Sequence, residues 1–193
     1  SASSQSAESP SSSARPDTHF DSLATVIATA SSAAKLDAAR AAGATHTLLL
    51  AAGAQGLGEA VKALSGGRGA DVIFDPVGGA TFDESMRCIA PDGRIIPMGF
   101  AGGSIPQIPA NLVLVKNITV IGLYWGYYVG WGRALPPAGT EARVRAAFDE
   151  MFDWCAQGRL RPQTWRTYPM AQFREALAAI AGREVMGRVA LLP

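Results

Sequence analysis

The chain has 193 residues, 48% of them hydrophobic, which is enough for one packed domain. Its 17 basic and 16 acidic residues leave a net charge of +1, so it carries no basic field to attract nucleic acid or an anionic membrane surface. Neither is expected as a partner.

Residues 1–22 open the sequence with a stretch dominated by Ser as far as Asp17 and without apolar periodicity. Such a segment buries too little to offset its ordering entropy, and a disordered tail is expected. From residue 23 the composition changes. Ala24–Thr29 reads as a buried strand, Ser32–Ala42 as a helix with Leu36 and Ala39 on one face, and Thr45–Leu50 as a second strand. Glu59–Leu64 is helical and stops at Gly66-Gly67. Ala70–Asp75 is a strand bounded by Pro76 and Gly78-Gly79, Phe82–Ile89 a helix, and Arg94–Met98 a strand ending at Gly99. Leu112–Leu114 looks helical and Ile118–Leu123 extended. Continuous apolar strands separated by helices indicate parallel βαβ units covered on both faces. The expected fold is α/β, a doubly wound parallel sheet of the Rossmann-like kind, over residues 23–128.

Residues 129–193 follow a different pattern. A turn-rich piece leads to a long helix, Thr140–Gln157, with Thr140 as its expected N-cap. An extended segment, Gln163–Tyr168, a helix, Met170–Ala181, and a final strand, Gly187–Leu192, complete the chain. No run approaches the ~20 apolar residues of a membrane span, and no signal-peptide pattern is present, so a cytoplasmic location is expected. Cys88 and Cys155, with His19 and His46 in unrelated contexts, do not make a zinc ligand set, and no metal is expected.

The residues that bear on function sit at strand ends. In a dinucleotide fold, an Asp or Glu after the second strand hydrogen-bonds the adenosine ribose. Here the turn Ala28-Thr29-Ala30-Ser31-Ser32-Ala33-Ala34-Lys35 has no carboxylate. Ser31, Ser32, Lys35 and the free amides of a helix start suit a 2′-phosphate. Taken alone they suit a simple cap followed by a solvated lysine better. Asp75-Pro76-Val77-Gly78-Gly79 turns the chain sharply at the sheet's carboxyl edge, where ligands of open α/β sheets bind; Asp75 itself is read as a turn residue. Gly99, Phe100 and the small residues after them repeat the pattern. Tyr124-Trp125-Gly126-Tyr127-Tyr128 could wall a pocket for a planar ligand or fill a core or subunit contact. Gly53-Ala54-Gln55-Gly56-Leu57-Gly58 reverses the phosphate fingerprint and is read as a loop.

As an ordered set, T-V-I-A-T-A-S-S-A-A-K-L-D, G-R-G-A-D-V-I-F-D-P-V-G-G, G-R-I-I-P-M-G-F-A-G-G, I-P-Q-I-P-A-N-L-V-L-V-K-N, Y-W-G and R-T-Y-P-M resemble the zinc-independent quinone reductases of the medium-chain dehydrogenase/reductase superfamily. The resemblance runs from Ala24 to Leu192. It implies NADPH as cofactor and favours the phosphate reading of Ser31, Ser32 and Lys35. It also implies that Val77, Gly78, Gly99, Phe100, Tyr124 and Trp125 line the nicotinamide side. The implied reaction is hydride transfer to a quinone or to an activated carbonyl compound or alkene, with a small-molecule substrate and a homodimer as the full-length form. No catalytic residue is identified. The alternative is a non-catalytic nucleotide-binding or structural paralogue that acts through oligomerisation.

The sequence departs from the family pattern in three respects. The N-terminal catalytic domain, to which the last strand normally returns, is not represented. Neither are the first strand of the nucleotide fold and its glycine-rich turn. Leu50 stands where the family usually has Tyr. In a 3-2-1-4-5-6 sheet the first strand is central, so the strands at Ala24–Thr29 and Ala70–Asp75 are each expected to lack an inner neighbour, and cofactor binding is expected to be weak. A shifted reading frame upstream of Leu23 would explain the serines; a gene with no alternative frame encoding a glycine-rich strand and turn there would refute that origin.

Overall fold

The computed structural model describes residues 24–50, 54–182 and 185–193. The expectations for residues 1–22 and for Gly53 lie outside them.

The first βαβ unit is β1 (Ile27–Ala30), α1 (Ala33–Ala41) and β2 (His46–Leu49), with β1 and β2 parallel and Ile27 opposite His46. β1 begins three residues later than expected and ends one later, and β2 is one residue shorter at each end. The ladder continues slightly past them, because His46 N donates to Val26 O at 3.0 Å and Leu50 N to Ala30 O at 2.8 Å. Helix α2 (Leu57–Leu64) begins two residues earlier than its apolar pattern suggests. Gly56, at φ 76°, adopts the left-handed conformation that starts it, so Leu57 and Gly58 belong to the helix and the expectation of a loop through Gly58 is corrected.

β3 (Ala70–Asp75) lies where the sequence places it and pairs in parallel with β4 (Ile89–Pro97), which pairs in parallel with β5 (Thr119–Val120). Between them run α3 (Gly79–Cys88) and α4 (Ala110–Lys116). β4 starts earlier than Arg94 because the register shifts. Ala70 faces Ile89 and Val72 already faces Arg94, so the Pro91-Asp92-Gly93 turn is extruded as a bulge. A Cβ on Gly93 would meet Ile89 Cγ1 at 2.7 Å, so the tight bulge leaves no space for a side chain there. β5 is shorter than Ile118–Leu123 for a reason at its partner. Ile121 N still donates to Ile95 O and Leu123 N to Pro97 O, but Pro97 has no N–H to return.

The chain continues through α5 (Trp125–Tyr128) and α6 (Thr140–Ala156). The N-cap of α6 is Gly139, at φ 80°, and not Thr140. Thr140 is the first helical residue, is buried, and its Oγ1 accepts from Arg143 Nη2 at 3.1 Å. β6 (Thr164–Pro169) and β7 (Arg188–Leu192) form a separate parallel pair. The helix expected from Met170 divides into a 3-10 turn, Met170–Gln172, and α7 (Phe173–Ala181).

Two apolar cores hold β1 to β5 and the helices between them. Phe82, Met86, Ile89, Ile95 and Ile118 form one, with Ile73, Leu112, Val113 and Val120 around it. Ala54, Leu57, Val61 and Cys88 form the other, against which Ile27, Leu48, Leu50, Ala70 and Ile73 pack. Burial pushes the Cys88 thiol up from its ordinary pKa. It is a packing residue rather than a nucleophile. The second core joins strands from both halves of the sheet, since Ile27 of β1 and Ile73 of β3 lean on the same helix, α2. Yet among the described residues β1 pairs only with β2, and β3 only with β4. The sheet is therefore interrupted between β1 and β3, at the position the sequence leaves without a strand.

Candidate nucleotide site

Parallel strands send their connecting loops to one edge. Beyond Asp75, β3 turns into α3, and beyond Pro97, β4 enters the loop at Gly99–Ser104. These two connections are bound together. Met98 N donates to Asp75 O at 3.0 Å, Ala101 N to Pro76 O at 3.0 Å, and Gly102 N to Val77 O at 2.8 Å. The contact is close enough to require glycine. At Gly78, φ is +72°, and a Cβ would lie 2.9 Å from Ser104 O and 3.0 Å from Phe100 Cδ1. Val77, Gly78, Gly99 and Phe100 are thus one cluster at the carboxyl edge.

Asp75 organises that cluster. Its Oδ1 accepts from Val77 N at 2.8 Å and Gly78 N at 2.9 Å, which makes it the anchor of the turn that the sequence suggested. Its Oδ2 is buried with no hydrogen-bond partner among the described residues. Sequence reasoning missed Ser104 and Pro106, which close over Gly78 from the far end of a loop whose only sequence signal is its glycines and prolines.

Ser31, Ser32 and Lys35 form a second cluster at the start of α1, just past the end of β1. Ser32 is the N-cap: its Oγ accepts from Lys35 N at 3.4 Å. The first turn holds no acidic residue. Asp37, one turn along, is ion-paired to Arg40 at 2.6 Å. The first four amides of a helix lack intrahelical acceptors, and a side-chain cap satisfies only one, so this end of α1 presents N–H groups and a partial positive charge. Ser32 serves as the cap and satisfies one of these amides. Leu50, the departure from the family pattern, packs against the α2 core.

Tyr124 and Trp125 follow β5 on the same edge as β3 and β4. Trp125 has its ring 6.0 Å from Tyr128 and 6.1 Å from Phe148 of α6, and the Tyr124 hydroxyl donates to Trp131 O at 3.5 Å. This patch packs α5 on α6. Lys116 belongs elsewhere. Its Nζ donates to the carbonyls of Met86, Arg87 and Ile89, clamping the ends of α4 and α3 together. Burial lowers its pKa. Among the described residues no three His, Cys, Asp or Glu side chains gather as a metal site.

A family model described as zinc-binding dehydrogenase matches residues 22–138. The bovine quinone oxidoreductase-like protein 2 is 35% identical over 168 residues, 87% of this chain and 45% of that protein. A 2-haloacrylate reductase from a Burkholderia species is 28% identical over 174 residues, 88% of this chain and 48% of the relative. The solved structure of mycobacterial Rv1454c complexed with NADPH superposes with a TM-score of 0.72 at 28% identity, covering 87% of this chain and 50% of that one. The chain spans about half the length of the curated relatives it matches.

Proposed function

The chain belongs to the zinc-binding dehydrogenase family, and from that premise we propose that it is the nucleotide-binding half of an NADPH-dependent reductase of quinones or of activated carbonyl compounds and alkenes. The observation that carries the choice of NADPH is the start of α1: two serines, a nearby lysine and no acid in the first turn. Amides and a helix dipole favour an anion there, where a carboxylate would repel it. When bound, the dihydronicotinamide supplies the hydride.

This chain's residues do the holding and orienting. Ser31, Ser32 and Lys35 receive the 2′-phosphate. Val77, Gly78, Gly99 and Phe100 form the wall against which the nicotinamide ring lies; glycine at 78 and 99 lets the β3 turn and the β4 loop close on each other to build it. Tyr124 and Trp125 bound the substrate side. None of these groups needs to titrate, since positioning and exclusion of water are the protein's contribution. The described residues offer no zinc donor set, and the proposed hydride transfer requires none. A homodimer in a cytoplasmic setting completes the reading. No described helix is long and apolar enough to cross a membrane.

A second reading rests on a specific observation. No strand among the described residues joins β1 to β3, where the turn that holds a pyrophosphate would follow. The chain would then be a nucleotide-binding or structural paralogue acting through oligomerisation. Titration with NADPH, followed by the fluorescence of its four tryptophans, separates the two when coupled to an assay of quinone-dependent NADPH oxidation. Saturable weak binding with slow oxidation is the expected result. Binding without oxidation supports the paralogue, and no binding refutes both.

A further inference from the structure

Helix α4 is too weak to hold its own place. It has seven residues, no side-chain cap at its start and no fully buried residue, and its Leu114 and Val115 are 75% and 72% exposed. A helix of two turns does not persist on its own hydrogen bonds. Leu112 and Val113 lean on the core that Phe82 and Met86 of α3 help to build. Beyond those apolar contacts the tie is Lys116. Its Nζ donates to Met86 O at 2.9 Å, Arg87 O at 3.2 Å and Ile89 O at 3.3 Å. Among the described residues no other hydrogen bond joins α4 to α3. An ammonium has three donors, one for each of these carbonyls, and the last carbonyls of a helix lack intrahelical partners. The negative end of the α3 dipole strengthens the hold.

The opposite ends of the same two helices meet at the candidate nucleotide site. Both follow strands of one parallel sheet, so they run the same way, with their starts at the carboxyl edge and their tails at the other. α3 starts at Gly79, directly after the β3 turn, and α4 starts where the loop from β4 ends. That loop closes over the start of α3. A Cβ on Gly78 would meet Ser104 O at 2.9 Å and Pro106 Cδ at 3.5 Å, and one on Gly79 would meet Ser104 Oγ at 3.0 Å. Residues 101–105 of the loop are all exposed, so the loop buries little of itself and depends on its anchors. One anchor is the β3 turn, through Ala101 N to Pro76 O and Gly102 N to Val77 O. The other is α4. α3, the loop and α4 thus make a closed frame, with the site at one end and Lys116 fastening the other.

We propose that Lys116 is a positioning residue for the nicotinamide wall. By tying the tail of α4 to the tail of α3, it fixes where α4 begins and so holds Ser104 and Pro106 over Gly78. It touches no nucleotide itself. Its removal lets α4 shift, loosens the loop and spoils the wall, while the head of α1, which belongs to a different βαβ unit, is untouched. The part of this inference that concerns the ring rests on the nucleotide reading above; the part that concerns the loop does not.

The test compares the intact chain with Lys116→Met, which keeps an apolar stem and loses every donor, and with Lys116→Arg, which keeps the charge and the donors. Amide exchange followed by NMR, with no nucleotide present, reads the loop directly. In Lys116→Met the amides of Ala101 and Gly102 should exchange about tenfold faster, and in Lys116→Arg they should return to within about twofold of the intact chain. The amide of Leu50, bonded to Ala30 O, should change in neither, whereas a general loosening would speed it as well. Calorimetric titration then reads the two ends of the cofactor separately, with NADPH as the whole ligand and adenosine 2′,5′-bisphosphate as the half that lacks the nicotinamide. NADPH should bind about fivefold more weakly to Lys116→Met, and adenosine 2′,5′-bisphosphate as before. If Lys116→Met does not fold, Lys116→Gln, with two donors and no charge, takes its place. Unchanged exchange at Ala101 and Gly102, or an equal loss of affinity for both ligands, would overturn the proposal. A chain that binds neither ligand with Lys116 in place would sink the nucleotide reading, and exchange at the loop would still uphold or overturn the hold of Lys116 on it.

Discussion

Phe82→Ala is expected to remove about 3–5 kcal/mol of folding stability, the range for an aromatic side chain deleted from a closed core. Phe82 is fully buried and meets Met86, Ile89, Ile95 and Ile118, so it joins α3 to β4 and to the segment that enters β5. Domains have only ~5–15 kcal/mol in hand, and this one has a divided sheet. Urea unfolding followed by circular dichroism should therefore show the midpoint falling by at least about a fifth, or no cooperative transition at all. Phe74→Ala is the control. Phe74 is on the neighbouring strand but exposed, and its loss should change stability by less than about 1 kcal/mol. Equal effects at the two positions would mean that the core lies elsewhere.

Asp75→Ala is the second large effect. The variant leaves Val77 N and Gly78 N without their acceptor. Hydrogen bonds to a charged acceptor contribute about 1.5–3 kcal/mol each, partly offset here by the cost of burying Oδ2 unpaired. A net loss of about 2–4 kcal/mol is expected. Asp75→Asn keeps Oδ1 and removes the buried charge, so it should retain most of the stability. If alanine and asparagine were equally damaging, the carboxylate's charge, and not its cap on the turn, would be the important property. The turn sets the approach of Gly78 to Ser104 and Phe100, so Asp75→Ala should also weaken nucleotide binding.

Much of this was legible in the residues. β3 was read at both ends because its apolar run is closed by glycine at one side and Asp-Pro at the other. The start of α1 was read because a serine before an alanine-rich stretch is a strong cap signal, and Ser32 fills that role. The lack of a joining strand was legible from the order of the others, and among the described residues none pairs β1 with β3. Other features depended on contacts that a single sequence does not display. The beginning of β4 was hidden by a bulge whose Pro-Asp-Gly looks like a simple turn. The end of β5 was set by a missing N–H on its neighbour, Pro97. Thr140 looked like a cap, yet Gly139, free to adopt positive φ, takes that position and Thr140 is drawn into the protein. Ser104 reaches Gly78 only because the β4 loop folds back on the β3 turn, a contact set by three backbone hydrogen bonds and not by any local pattern.

The family and the fold constrain where a nucleotide would lie, but the choice between NADPH and NADH falls on a single helix start. Dissociation constants for both nucleotides, measured by tryptophan fluorescence on the intact chain and on Lys35→Glu, test that choice most directly. With its lysine in place the chain should bind NADPH more tightly than NADH, by about tenfold, and Lys35→Glu should erase or invert the preference. A preference for NADPH that survives the charge reversal, or none to begin with, would contradict the assignment of the 2′-phosphate to the head of α1.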